Sequence, residues 1–183
     1  MLILFSLLTL ASCSREEGEA PIGMKNAASE IADFYFYVPD DWKVTTGEKD
    51  LMASARISES DPSNMTMIGF EDGQNEYETV DSFWSYYKDE LENRIFDRVT
   101  DEESGEKVSS FKLLNEGEEL IIDGKVAKKY EYSGKVAGSD FSYMQVIVQR
   151  ENIFYLITFT SSSELYSHSK ETVEAILTYI DFK

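Results

Sequence analysis

Residues 119–160 read ELIIDGKVAKKYEYSGKVAGSDFSYMQVIVQRENIFYLITFT, and the fold turns on this stretch. Glu119–Asp123, Lys125–Ser133, Phe141–Arg150 and Ile153–Thr160 are rich in β-branched and aromatic residues, which suit a pleated, half-buried surface. Asp123-Gly124 and Glu151-Asn152 are short enough to close two-residue hairpins, and Asp-Gly supplies positive φ at little steric cost. Val108–Asn115 adds one more strand upstream, so this half of the chain predicts an antiparallel meander.

Beyond the meander, the spacing predicts a helix over His168 to Tyr179, with Val173, Ile176, Leu177 and Ile180 as its apolar stripe. Toward the N-terminus, Ala32–Val38 is an aromatic strand and Pro39-Asp40-Asp41 a turn. Trp42-Lys43-Val44, Leu51–Ile57 and Met65–Glu71 read as further extended segments, with a polar loop over Ser58 to Asn64. Thr79 to Phe96 has a helical period, its apolar face formed by Val80, Phe83, Trp84, Tyr87, Leu91 and Ile95; Thr79 or Asp81 is placed to cap it. Asp97 to Lys107 is acidic and reads as a loop. Strands, a helix, a run of hairpins and a terminal helix define an α+β domain over residues 30–183, with helices packed on an antiparallel sheet.

Three segments carry a family likeness. Phe36-Tyr37-Val38-Pro39-Asp40-Asp41-Trp42-Lys43 resembles the opening strand and Pro-x-x-Trp turn of PsbP-like proteins. Ile122-Asp123-Gly124-Lys125-Val126-Ala127-Lys128-Lys129-Tyr130-Glu131-Tyr132 is similar to their central hairpin. Tyr155-Leu156-Ile157-Thr158-Phe159-Thr160, the last helix and Ile180-Asp181-Phe182 are similar to their close. The likeness runs in order over residues 31–183 and implies an antiparallel sheet sandwiched between helices, with a binding surface in place of a catalytic cleft. In that superfamily a photosystem subunit assists metal retention and a nuclear-transport relative binds a small GTPase; no functional residue of either matches a position here.

The N-terminus adds a location. Met1 to Ala11 is apolar but far shorter than the roughly 20 residues a transmembrane helix needs. It has the length of a signal-peptide core, although no Lys or Arg precedes it. Leu10-Ala11-Ser12-Cys13 resembles the lipobox of bacterial lipoproteins, and Cys13 is the chain's one cysteine. The expectation is a signal peptide over residues 1–12, a diacylglycerol on Cys13, and a flexible tether over residues 13–29. Two acyl chains make a stable anchor where one is marginal. The implied place is the cell envelope, on the outer face of the cytoplasmic membrane, or the outer membrane if the host has one.

The net charge of −18, from 35 acids and 17 bases, argues against nucleic acid as a partner, since phosphate binding needs a basic footprint. It also disfavours direct adsorption to anionic lipid, so the membrane is a partner through the anchor alone, alongside a protein partner not identified by sequence.

No catalytic or metal-binding residue set can be assigned from motifs. His168, the only histidine, falls among serines at a polar helix start, and GxSxG, HExxH and CxxC are all missing. Calcium is the chief chemical alternative to the absence of any cofactor, because Asp101-Glu102-Glu103 and Glu116-Gly117-Glu118-Glu119 cluster carboxylates of the type hard cations prefer. Neither has EF-hand spacing, and solvated loop charge is the plainer reading. Lys125, Lys128, Lys129 and Lys135, beside Tyr130 and Tyr132, form either a basic strip for an anionic group or ordinary edge protection. The resulting expectation is a binding or assembly module with no catalysis of its own. The alternative is a metal-assisted or carboxylate-based envelope hydrolase, which would need two acids in one cleft.

Overall fold

The computed structural model describes residues 18–45, 52–61, 63–73 and 76–183. The expected signal peptide, Cys13 and the first residues of the tether lie outside them.

The central feature is an antiparallel seven-stranded sheet. Its members are β3 (Lys43–Val44), β4 (Ala53–Arg56), β5 (Asn64–Glu71), β8 (Lys112–Ile122), β9 (Lys125–Val136), β10 (Ser139–Arg150) and β11 (Ile153–Ser162), in the spatial order β3-β4-β5-β11-β10-β9-β8. A three-stranded sheet is built from β1 (Met24–Asn26), β2 (Phe34–Pro39) and β12 (Ile180–Phe182), with β2 in the middle. A small hairpin pairs β6 (Arg98–Thr100) with β7 (Lys107–Ser109). The helices are α1 (Val80–Glu90), continued by a π turn over Leu91–Ile95, and α2 (Tyr166–Leu177).

Three two-residue turns link β8 through β11. Asp123 and Gly124 have φ of 45° and 71°, and Ala137 and Gly138 of 51° and 82°. Both pairs have the positive φ at both central residues that matches the right-handed twist of a hairpin. The second turn carries neither Asn nor Asp, so composition alone does not mark it.

Alternation along the long strands gives the main sheet two apolar faces. One face carries Met65, Met67, Met144, Val146, Val148, Tyr155, Ile157 and Phe159, covered by the small sheet and by Val173, Ile176 and Leu177 of α2. The opposite face carries Tyr130, Tyr132, Ile147, Phe154 and Leu156, covered by Phe83 and Trp84 of α1 and by Leu91 and Phe96. The fold is therefore α+β but sheet-dominated, and this corrects the expectation of a sheet sandwiched between helices. Strands share the cover on the α2 face because the main sheet is wider than a single helix of 12 residues can shield.

Four further expectations are corrected. Residues 24–29 fall within the expected tether, yet Met24–Asn26 pairs with Tyr37–Pro39, Ala27 is buried and Ala28 bridges to Ala53. Val108–Asn115 and Glu119–Asp123 are not two strands. Lys107–Ser109 belongs to the small hairpin, and Lys112–Ile122 is one bulged strand. The expected loop over Asp97–Lys107 contains β6. Ile95, expected in the helix stripe, is 54% exposed, because the π turn adds a residue per turn and rotates the stripe so that Phe96 takes the core position. Thr79 caps α1 as expected, its hydroxyl accepting from Ser82 N while the Ser82 hydroxyl accepts from Thr79 N. The Pro39-Asp40-Asp41 turn closes with Trp42 N donating to the Pro39 carbonyl at 3.0 Å, and Trp42 is buried.

Candidate binding groove

A cavity of about 490 Å³ lies where the β6–β7 hairpin meets β8, β9 and the start of β10. Its position follows from how the hairpin is fastened. Phe96 and Phe111 flank the hairpin in sequence and pack with Tyr132 in the second core, at ring separations of 6.1 and 5.4 Å. Asp97 N donates to the Lys135 carbonyl at 2.8 Å, Ser110 N to the Asp97 carbonyl at 2.9 Å, and Gly138 N to the Asp97 carboxylate at 2.8 Å. The Ser110 hydroxyl accepts from Lys135 N at 2.9 Å. This clasp ties the hairpin to the β9–β10 end and leaves a groove between them.

Fixed charges and hydroxyls line it. On the hairpin side are Asp101, Glu102 and Glu103; on the sheet side are Lys112, Lys135 and Asp140, with Ser109, Ser133 and Ser163 between. The Asp101 carboxylate accepts from Ser104 N at 2.8 Å and from the Ser104 hydroxyl at 2.7 Å. These two bonds hold its pKa below the usual carboxylate value, so it is a fixed anion near neutrality. Lys135 Nζ sits 2.7 Å from Asp140 Oδ2. The groove thus sets carboxylates against ammonium groups across a hydroxyl-bearing surface, an arrangement that can hold a polar ligand with charges of both signs.

The sequence-derived candidates are distributed as follows. Asp101–Glu103 lines the groove, and Lys135 faces it from the opposite side; the sequence had placed these in separate hypotheses. The second acidic run, Glu116–Glu119, is not a loop. It lies in β8, where Glu118 bonds Lys129 at 2.9 Å, and it contributes nothing to the groove. Among the described residues no three His, Cys, Asp or Glu are grouped as a metal site would require.

The lysines do not form a strip, because strand alternation sends Lys128 and Lys129 to opposite faces. Lys128 reaches Asp81 of α1 at 2.7 Å, whereas Lys129 reaches Glu174 of α2 at 2.9 Å. Tyr130 and Tyr132 are buried beneath α1, and Tyr130 stacks on Trp84 at 4.0 Å. His168 is exposed at the start of α2, and Phe34 and Phe36 are core. The groove residues that sequence reasoning missed are Lys112, Asp140 and the serines. They come from four separate segments and follow no spacing rule; the one available signal was the pairing of hairpin partners across the Ala137-Gly138 turn.

A second cleft, about 220 Å³, lies between Ile31, Asp33, Met52, Glu71, Ile153 and Tyr155. There the Tyr155 hydroxyl donates to Asp33, and Arg150 reaches the same carboxylate at 3.4 Å. Oδ2 of this carboxylate thus ties the segment before β2 to the large sheet, while its buried Oδ1 has no hydrogen-bond partner among the described residues.

Among the described residues, no helix is long and apolar enough to cross a membrane. No family model and no curated protein matches the sequence. Solved structures do match the fold. Cyanobacterial PsbP from Synechocystis sp. PCC 6803 aligns with a TM-score of 0.57 at 15% identity, covering 95% of this chain and 99% of that one. LpqN, involved in cell envelope biogenesis of Mycobacterium tuberculosis, aligns with a TM-score of 0.56 at 11% identity over 87% and 91%. The Saccharomyces cerevisiae Ran-binding protein Mog1p aligns with a TM-score of 0.50 at 10% identity over 81% and 84%. At such identities the likeness establishes a PsbP-like fold.

Proposed function

We propose that this chain is a binding or assembly module of the cell envelope, without catalysis of its own, held to the membrane by a lipid on Cys13. The observation that carries this reading is the state of the groove side chains. Asp101 is satisfied by Ser104, and Asp140 by Lys135. A carboxylate with a lowered pKa, as Asp101 has, is a poor general acid. Such a surface presents fixed charge for recognition. The cyanobacterial PsbP and mycobacterial LpqN likenesses support an extracytoplasmic setting for a domain of this shape. The lipobox-like Leu10-Ala11-Ser12-Cys13 supports the anchor.

The test uses the full chain in a bacterial host. Metabolic labelling with an alkyne fatty acid should tag the wild type and leave Cys13→Ala untagged and released from the membrane. A photo-crosslinking residue at Lys112, in the groove, should capture a defined partner or ligand that the same residue at exposed Lys43 does not. Turnover of an envelope substrate by the purified chain, abolished by Glu103→Gln or Asp140→Asn with folding intact, would replace this reading with the hydrolase alternative.

A further inference from the structure

We propose that the outer edge of β8 is a docking site for an extended, basic segment of a partner polypeptide, which adds to the main sheet as an eighth strand. β8 ends the seven-strand order, so one side of its backbone has no strand beside it among the described residues. An unpaired edge presents a row of N–H and C=O groups that a second chain can complete. The opposite end of the sheet is β3, with only 2 residues, whereas β8 has 11. Long, open edges are the ones that natural proteins shield, and the manner of shielding decides what they still accept.

β8 is shielded in two ways. Register shifts between Leu113 and Glu118 break its first half, and from Glu118 to Ile122 the ladder with β9 is regular. Acidic side chains occupy the strand: Glu118 is used by Lys129, while Glu116 and Glu119 form no ion pair among the described residues. Between these acids the edge exposes large apolar side chains. Leu114 and Ile121 are each 61% exposed, and Val126, directly across from Ile121 on β9, is 58% exposed. Glu119 pairs with Lys128, which reaches α1, so Glu119, Ile121 and Val126 share the face that carries α1.

An added strand would therefore meet, at alternate positions on one face, a carboxylate and then an apolar ledge. Cross-strand pairs of opposite charge and of apolar side chains stabilise a sheet, and like charges oppose it. A segment that carries Lys or Arg and, two residues further on, Val or Ile places both on one face and fits this pattern. A second copy of this chain does not, since it brings the same glutamates and a net charge of −18 to the contact.

The probe is the heptapeptide acetyl-Lys-Thr-Val-Thr-Lys-Thr-Val-amide, which sets Lys and Val in turn on one face, titrated into the full chain in neutral detergent micelles and followed by amide NMR. Expected are saturable shifts concentrated on Glu118–Ile122 and Lys125–Lys128, and loss of binding when alternate backbone nitrogens of the peptide are methylated, which leaves its charge unchanged. Ile121→Lys, at an exposed position, should weaken binding about fivefold, the size of reversing one cross-strand pair, while Glu102→Lys on the hairpin should not. Binding that survives N-methylation, or shifts spread evenly over the acidic surface, would reduce the effect to ionic attraction and overturn the proposal. Concentration-dependent dimers abolished by Ile121→Lys would overturn it in favour of self-pairing.

Discussion

At the scale of single residues, two glycines hold the second core against the strands above it. Gly117 sits in the β8 bulge with φ of 107°, and a Cβ there would lie 2.9 Å from the Tyr130 ring. Gly134 has ordinary backbone angles, but a Cβ there would lie 2.4 Å from the Phe96 ring, beneath the groove. Gly117→Ala and Gly134→Ala should each destabilise the chain by about 1–3 kcal/mol in urea unfolding, the usual cost of overpacking or of a strained φ. Their causes are separable. Shrinking Phe96 to Leu should make the Gly134→Ala cost largely disappear in a double-mutant cycle, whereas shrinking Tyr130 leaves the φ cost of Gly117→Ala in place. Both glycines were visible in the sequence, but nothing in it names the ring each would meet, because Phe96 is 38 positions from Gly134.

At the scale of elements, α2 is docked on the sheet by charge as well as by its apolar stripe. Lys129, with its side chain 10% exposed, bonds Glu118 and Glu174, each at 2.9 Å. Glu131, 12% exposed, accepts from Lys170 at 2.8 Å and from the Tyr166 hydroxyl at 3.0 Å. The two lysines are not equivalent. Removing Lys129 leaves Glu118 and Glu174, which are 58% and 40% exposed and can rehydrate, so Lys129→Met should change stability by about 1 kcal/mol or less. Removing Lys170 leaves Glu131 nearly buried, with one hydroxyl and a lysine 4.0 Å away, so Lys170→Met should cost about 2–3 kcal/mol. Thermal melts of the two variants check the order, and equal losses would contradict it. The helix periods were legible in sequence, yet the partner of each charge was not. Glu131 and Lys170 are 39 positions apart, and only docking of α2 on β9 brings them together.

For the molecule as a whole, pH should act at two ends. The pKa of Glu118 is lowered by its hydrogen bond to Lys129 and by that charge, so its contribution is present above the ordinary 4.5 and is lost as pH falls through the lowered value. Burial tends to lower Lys129, but the hydrogen bonds it donates to Glu174 and Glu118 outweigh that and leave the ammonium raised, so its contribution persists through neutral pH. At the alkaline end, burial raises Tyr130, Tyr132, Tyr155 and Tyr166 above 10.0. A raised folded pKa means that stability is intact below the unfolded value and is lost as pH climbs above it. Stability should be flat across the neutral range and fall steeply once pH passes about 10, where the unfolded tyrosines begin to ionise. Ionisation of these four tyrosines should then coincide with loss of circular dichroism, on top of the signal of the exposed phenols; phenolate absorbance reaching the full count of 11 tyrosines without unfolding would show these hydroxyls to be open to solvent.

The sequence by itself determined the α+β class, the run of hairpins, the turn at Pro39 and a helix cap at either Thr79 or Asp81, because those are written in local spacing and local backbone preference. It also determined the strong acidity of the chain, since net charge needs no coordinates. Only the tertiary structure decided that β1 occupies part of the expected tether and that residues 112–122 form one bulged strand. It alone separated Lys128 from Lys129 and brought Asp101–Glu103 opposite Lys135. Each of these depends on pairing between segments far apart in the chain. A strand's free edge, a sheet's second face and a groove between hairpins come into being only when such segments meet.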